Sequence, residues 1–257
     1  MRKLWCLVRR EMASYFLSPM AYLVCTGFML ISVFLFFTLL GSFNSAYNEF
    51  VRMPIALPEK APNLNSWVIE GYLHGMVLCL VFTMPLITMR AFADEYAAGT
   101  DELLFTAPLT SAQIVWGKFL AAVLLLSVMI LLIALLPFLL FLLGNPEGLP
   151  IVSGLVGVWA CGVLFLSLGF LCASLTSSHI AAGSTALVVI FLMYMFHSPA
   201  EVLDSSGAEI IRAISPLWQV GGLIKGIVLP EQFVYFLGMT SVSIFGAIGF
   251  IETRRLG

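Results

Sequence analysis

Residues 90–118 read RAFADEYAAGTDELLFTAPLTSAQIVWGK, and they interrupt a chain that is otherwise almost continuously apolar. Four carboxylates lie close together in this stretch: Asp94, Glu95, Asp101 and Glu102. The hydrocarbon core of a bilayer does not tolerate such a density of charge. The stretch is therefore predicted to be a loop outside the membrane, between one apolar helix that leaves the bilayer and another that enters it.

A short helix is predicted inside this loop. Gly99 favours a break in the helix that carries Arg90 out of the membrane. Thr100 is a residue type that caps the start of a new helix. Asp101 and Glu102 then fall in its first turn, where the helix dipole favours acidic side chains.

The rest of this short helix is apolar, and it ends early. Three apolar residues follow the acidic turn: Leu103, Leu104 and Phe105. Pro108 ends the helix. Thr110 and Gln113 then form the pattern of a capping box that opens the next helix. An acidic start followed by an apolar face predicts a cytosolic element on which another protein docks.

The composition excludes several classes of protein. The chain has 257 residues, of which 61% are hydrophobic and 10% are charged, and its mean hydropathy is +1.05. These values predict an integral membrane protein. A net charge of −2 gives no basic surface for nucleic acid, so no nucleic-acid partner is expected. The five cysteines form no C-x-x-C pair and are interpreted as small hydrophobic residues, with neither a metal site nor a disulfide framework.

The first 18 residues predict a helix that lies in the membrane surface. Trp5, Val8 and Met12 recur at spacings of three and four, which forms one apolar face, and Arg9 and Arg10 belong to a basic one. The alternative is a simple charged flank of the first span.

Gaps between charged residues predict six transmembrane spans in a single membrane domain, residues 1–257. Their approximate bounds are residues 20–40, 71–89, 119–143, 151–175, 179–197 and 232–251. The charge-free gap between Glu147 and Glu201 would make roughly 80 Å of helix, more than twice the bilayer core, so the chain must turn back inside it. The polar cluster at residues 176–179 is the predicted turn.

Two further segments are predicted at the opposite side from residues 90–118. Residues 41–66 contain three prolines and predict a loop with little regular structure. Within residues 198–231, a short helix is expected at 208–214. The apolar sequence LWQVGGLIKGIV at 217–228 is too short to span, so it is expected to be partly re-entrant or to pack on the ends of the spans.

The distribution of lysine and arginine predicts that both termini are cytoplasmic. With the N-terminus inside, the cytosolic segments hold eight basic residues: Arg2, Lys3, Arg9, Arg10, Arg90, Lys118, Arg254 and Arg255. The outer segments hold four: Arg52, Lys60, Arg212 and Lys225. This excess follows the positive-inside rule and places residues 90–118 in the cytosol.

Together these features resemble the permease subunit of an ABC-2 type ABC exporter, closest to the subfamily associated with gliding motility. The resemblance is carried by RREMASYFLSPMAYLV at 9–24, by FADEYAAGTDELLFTAPLTSAQIVWGKFLA at 92–121 and by SPLWQVGGLIKGIVLPEQFVYFLG at 215–238. The positions that match the family's loop are Glu95, Gly99, Thr100, Glu102, Leu103, Leu104, Pro108 and Lys118. Asp101 departs from it, because that position is more often neutral or apolar.

The resemblance implies a transporter subunit of the bacterial inner membrane. The chain has no G-x-x-x-x-G-K-[ST] sequence, so ATP and Mg are expected on a separate ATPase subunit and no cofactor on this chain. The short helix at 100–105 would be the coupling helix. A second permease half is also implied, either another copy or a related chain.

The sequence also bears on the substrate class and on two other functions, an enzyme and a structural subunit. The apolar spans are compatible with a hydrophobic or lipid-linked substrate. An enzyme is not expected, since no H-E-x-x-H or G-x-S-x-G sequence occurs and no pair of acids lies within a span. The alternative is a structural membrane subunit of an ATPase-driven envelope machine, such as a gliding-motility apparatus.

The predicted topology can be tested by labelling. In a cysteine-free variant, Ala97→Cys should react with an impermeant thiol reagent only from the cytosolic side, and Ser206→Cys only from the outer side. The opposite reactivity at either position would contradict the six-span topology.

Overall fold

The computed structural model describes residues 2–52, 62–93, 99, 110–143, 146–197 and 213–256, and within them the chain is helical without a strand. The α-helices, in chain order, are α1 Arg2–Leu17, α2 Pro19–Arg52, α3 Glu70–Thr88, α4 Ser111–Leu143, α5 Gly148–Leu175, α6 His179–Met195, α7 Pro216–Ile224 and α8 Pro230–Leu256. One turn of π-helix, Asn65–Ile69, leads directly into α3.

Five of these helices are long and apolar enough to cross a membrane: α2, α3 with its π-helical turn, α4, α5 and α8. The sixth apolar helix, α6, has 17 residues and is shorter. The prediction of an all-helical membrane protein is confirmed. The crossing of the bilayer by all six helices stays a prediction.

Helix α5 forms the centre of the bundle. In its apolar part 78% of the residues are buried, compared with 22% in α2 and 28% in α8. It packs against α3, α4, α6, α7 and α8. Two of its glycines allow close approaches: a Cβ at Gly162 would lie 2.8 Å from a methyl group of Leu126, and one at Gly169 would lie 2.8 Å from Cβ of Thr88. Small residues at helix contacts are the usual means of close packing in membranes.

Helix α2 is longer than the sequence predicted. It has 34 residues and continues to Arg52, so the expectation of little regular structure over residues 41–66 is wrong for residues 41–52. It is also wrong for residues 64–66, which are helical. Residues 41–52 contain no proline; the first one, Pro54, follows the end of the helix by two residues. The hydroxyls of Ser42 and Ser45 donate to helix carbonyls at 2.8 and 3.1 Å, so these polar residues remain compatible with a helix.

Two other predicted features can be compared with the structure. The turn between spans four and five is confirmed, because α5 ends at Leu175 and α6 begins at His179. The apolar segment after Ser215 forms α7. This helix packs on α5, which agrees with the expectation that the segment packs on the spans. Its buried residues are Pro216, Leu217, Val220, Leu223 and Ile224. Most of the short helix expected at 208–214 lies outside the described residues.

A hydrogen-bonded chain joins three helices at a proline in α4. Pro137 lies inside α4 and has no N–H to donate to the carbonyl of Ile133, four residues earlier. The hydroxyl of Tyr72 on α3 donates to that carbonyl at 3.1 Å. Ser32 on α2 lies 2.6 Å from the same hydroxyl and can donate to it. Ser32 and Tyr72 are fully buried, so the bond broken by the proline is replaced by one between helices.

Removing the Tyr72 hydroxyl should therefore destabilise the bundle. We expect Tyr72→Phe to lower the free energy of unfolding by about 1–3 kcal/mol, because the Ile133 carbonyl loses its donor in an apolar interior. Tyr235→Phe is the matched control, since the hydroxyl of Tyr235 donates to the Ile214 carbonyl at an exposed site. Unfolding in mixed micelles with increasing dodecyl sulfate measures both. Equal, small losses in the two variants would contradict this role for Tyr72.

Candidate functional site

The loop at residues 90–118 begins with a turn rather than a continued helix. Helix α3 ends at Thr88, and the N–H of Ala91 donates to the Thr88 carbonyl at 3.0 Å, which closes a turn of four residues. The expectation that a helix carries Arg90 as far as Gly99 is wrong for residues 89–92. Arg90 and Phe92 therefore lie in a turn directly at the end of the bundle.

Between residues 94 and 109, Gly99 is the residue that the structure describes. Its φ of 61° lies in the left-handed region that favours glycine, which agrees with its predicted role as a break. The other predicted docking residues lie outside the described residues: Glu95, Thr100, Asp101, Glu102, Leu103, Leu104, Phe105 and Pro108. Their role in docking stays a prediction.

The predicted capping box at the far end of the loop is confirmed. The N–H of Gln113 donates to the hydroxyl of Thr110, and the N–H of Thr110 donates to the side-chain oxygen of Gln113, both at 3.3 Å. These reciprocal bonds satisfy two N–H groups that the first turn of α4 would otherwise leave unpaired. They fix the position at which the chain leaves the loop and begins α4.

Helix α1 packs against the first part of α4. Leu7 and Val8 are buried in this contact. Gly117 makes the contact possible, because a Cβ there would lie 2.4 Å from a methyl group of Leu7. A side chain at position 117 would force the Leu7 side chain to move.

A buried ion pair fixes the same contact. The Nζ of Lys118 lies 3.4 Å from a carboxylate oxygen of Glu11, and the two side chains are 6% and 13% exposed. Removing one partner of such a pair leaves the other charge buried, at a cost of about 3–5 kcal/mol. The pair therefore specifies where α1 lies on α4.

Aromatic side chains pack around Lys118. Its Nζ lies 5.9 Å from the centre of the Phe92 ring, a distance at which a cation is attracted to the ring. Phe170 of α5 meets both Phe92 and Phe119 edge-on, each at 5.8 Å between ring centres. This cluster joins the first residues after α3, the start of α4 and the central helix.

Arg90 joins the other flank of the loop to the start of α2. Its guanidinium donates to the hydroxyl of Ser18 at 3.0 Å, and Ser18 is the residue between α1 and α2. Both flanks of residues 94–109 are thus bound to the N-terminal segment, one through Arg90 and one through Lys118. A displacement of the loop would act on both contacts.

The predicted N-terminal helix is present as α1, but its apolar residues face different ways, and its location in the membrane surface stays a prediction. Val8 is 2% exposed and faces the protein, Met12 is half-buried, and Trp5 is 66% exposed. Arg9 and Arg10 are exposed. The helix thus packs on the bundle with one side and leaves Trp5 and the two arginines outside.

The same end of the bundle holds the turn after α5 and the end of α8. The guanidinium of Arg254 in α8 donates to the Leu175 carbonyl, the last residue of α5, at 2.7 Å. A cation at this position satisfies a carbonyl that a helix end leaves unpaired and is favoured by the helix dipole. Arg90, Lys118 and Arg254 therefore lie at one end, in contact with helix ends and with α1.

The sequence of this chain matches the family described as ABC-2 family transporter protein over residues 7–203, which is more than half of the chain. The chain belongs to this family. The match begins within α1, includes the whole loop at 90–118 and extends past α6. No curated protein matches the chain.

Membership in the ABC-2 family agrees with the described architecture. Its members are membrane permeases of ABC transporters and work with an ATPase, which accords with a multi-pass helical chain that carries a loop between two apolar helices. The family points to a transporter membrane subunit rather than an enzyme.

Sequence reasoning missed the partners of Lys118. Glu11 is the one acid among residues 1–18, in an otherwise basic segment, and this was a usable signal for a specific contact. Gly117 directly precedes Lys118 inside a helical pattern, where glycine is unfavourable unless packing requires it. Phe170 lies within an apolar span and carried no signal of its own.

The ion pair predicts an asymmetric response to mutation. Lys118→Met should lower the free energy of unfolding by about 3–5 kcal/mol, because Glu11 is left charged and nearly buried. Adding Glu11→Leu should restore most of this loss. Arg9→Met, an exposed arginine on the same helix, should cost less than about 1 kcal/mol. Unfolding by dodecyl sulfate measures all three variants, and similar losses for Lys118→Met and Arg9→Met would contradict a buried pair.

Proposed function

We propose that this chain is the transmembrane permease subunit of an ABC-2 exporter in a bacterial inner membrane. Six spans cross the bilayer, both termini are cytoplasmic, and a separate ATPase subunit binds ATP and Mg. Two permease halves form the complete transporter. The proposal includes the subfamily associated with gliding motility, which the segments at 9–24, 92–121 and 215–238 resemble.

The grouping of cations supports this orientation. Arg9, Arg10, Arg90, Lys118 and Arg254 lie at the end of the bundle that carries the loop, whereas the described cations at the other end are Arg52 and Lys225. Basic residues are enriched on the cytoplasmic side of membrane proteins. The loop then faces the compartment in which ATP is available.

The observation that carries the proposal is the attachment of both loop flanks to one segment. Arg90 contacts Ser18 and Lys118 contacts Glu11, so a force on the loop reaches α1, the start of α2 and the start of α4 together. An element that transmits ATPase closure to the spans needs this property, because a flexible loop would absorb the movement. The predicted coupling helix at 100–105 lies between the two attached flanks.

In the proposed transport cycle, movement of the loop changes the conformation of the spans. Closure of two ATPase subunits on ATP moves the two loops, and the permease halves change between inward-open and outward-open states. ATP shifts this equilibrium only as far as its binding favours one state over the other.

The proposed substrate is hydrophobic or lipid-linked. Among the described residues of the six apolar helices, the charged side chains lie in or near the terminal turns rather than at mid-span. A pathway for an ion or a small charged solute would need polar or charged groups at membrane depth. The apolar interior therefore favours an apolar cargo or one with a long apolar part.

Docking can be tested at Leu104. Leu104→Asp should abolish binding of the ATPase subunit, because an unpaired charge placed in an apolar groove costs several kcal/mol. A loss of about 3 kcal/mol already weakens binding more than a hundredfold. Ala97→Asp adds the same charge to the same loop outside the predicted apolar face and should bind with little change.

Pull-down of the ATPase in detergent and permease-stimulated ATP hydrolysis measure this effect. Wild-type binding and wild-type stimulation by Leu104→Asp would overturn the assignment of the loop as the transmission element. ATPase binding without any ATP-dependent movement of residues 198–231 would instead favour a structural subunit.

A further inference from the structure

An apolar groove lies between α4 and α5, on the outside of the bundle and toward the end opposite to residues 90–118. Its volume is about 380 Å³, within the range of about 300–1,000 Å³ that is usual for ligand sites. Ala134 and Phe138 line it from α4, and Val152 and Val156 line it from α5. None of the residues that line this groove is charged.

Polar atoms near the groove are already paired within the protein. At its inner end the indole N–H of Trp159 donates to the hydroxyl of Ser127 at 3.0 Å. The Ile133 carbonyl, which the proline break in α4 leaves without its helical donor, accepts the hydroxyl of Tyr72 from α3. A polar ligand would gain little here, whereas an apolar one would lose nothing by desolvation.

The length of the groove corresponds to one leaflet of a bilayer. Between Ser127 and Phe138, α4 rises by about 16 Å at about 1.5 Å per residue. This is close to half of the hydrocarbon core, which is roughly 30 Å thick. The groove is therefore long enough to hold an acyl chain over the depth of one leaflet.

We propose that this groove binds one acyl chain of a membrane lipid, taken from the leaflet opposite to the 90–118 loop. A helix of a second copy would pack along the full length of α4 and α5, whereas the groove stops at the Ser127–Trp159 hydrogen bond. The leaflet is the outer one in the proposed orientation. Binding of an acyl chain in this groove depends neither on the ATPase nor on the proposed transport.

Photochemical labelling tests the occupant. The full chain is placed in vesicles of phosphatidylcholine with a diazirine on one acyl chain, illuminated and mapped by mass spectrometry. Labelling should be about tenfold stronger at residues 127–138 and 152–159, which line the groove, than at Val242 and Phe245 on the exposed apolar face of α8. This ratio corresponds to a preference of about 1.4 kcal/mol for the groove. Equal labelling of groove and face would overturn the proposal.

Two valines provide a matched pair of variants. Val156 lines the groove and is 40% exposed, whereas Val128 on α4 is 39% exposed and is not among the lining residues. Val156→Trp should reduce groove labelling about tenfold, because the indole fills the space that the acyl chain would occupy. A tenfold change corresponds to about 1.4 kcal/mol of binding free energy. Val128→Trp should leave groove labelling unchanged.

The remaining outcomes also decide the question. If Val156→Trp leaves labelling intact but dissociates a dimer observed by chemical cross-linking, the groove is an interface between copies and the proposal is wrong. If this variant does not fold, the map of the wild-type chain decides. No ATPase is present in the experiment, so its failure and the failure of loop docking are distinguishable.

Discussion

The contact between α1 and α4 contains the nearly buried ammonium group of Lys118, which is paired with the Glu11 carboxylate. Lys118 is nearly buried at the start of an apolar helix, and Glu11 reaches it only if α1 lies directly on α4. Gly117 leaves the space that this approach needs. The position of α1 then determines the position of Ser18, which accepts Arg90 from the end of α3. The ion pair and the Arg90–Ser18 hydrogen bond thus join the N-terminal segment to both flanks of the loop.

Packing in the rest of the bundle follows from the apolar surroundings. Helices in a membrane gain no hydrophobic free energy by leaving lipid for one another, so they associate through close fit and hydrogen bonds. Gly162 and Gly169 provide the fit on α5, and the Ser32–Tyr72–Ile133 chain provides the bonds. Peripheral α2 and α8 keep most of their apolar surface outward, where acyl chains or a second permease half can cover it.

Helix α4 extends from the loop at residues 90–118 to the apolar groove. It begins at the Thr110–Gln113 capping box beside the loop, and the half farther from the loop lines the groove as far as Phe138. Pro137 removes one helical hydrogen bond near the end of α4 that is farther from the loop, and the Tyr72 hydroxyl replaces that bond. Helix α4 thus connects the loop directly with the groove.

The sequence by itself determined the helical class, the order of the apolar helices, the capping box and the turn at residues 176–178, because hydropathy and local capping chemistry act over a few residues. Two sequence predictions were wrong: residues 41–52 continue α2, and a turn replaces the predicted helix around Arg90. Only the tertiary structure decided that Glu11 pairs with Lys118, that Tyr72 bonds the Ile133 carbonyl and that α4 and α5 enclose a groove. These contacts join residues that are distant in the chain, and such pairings depend on how the helices pack rather than on any local pattern.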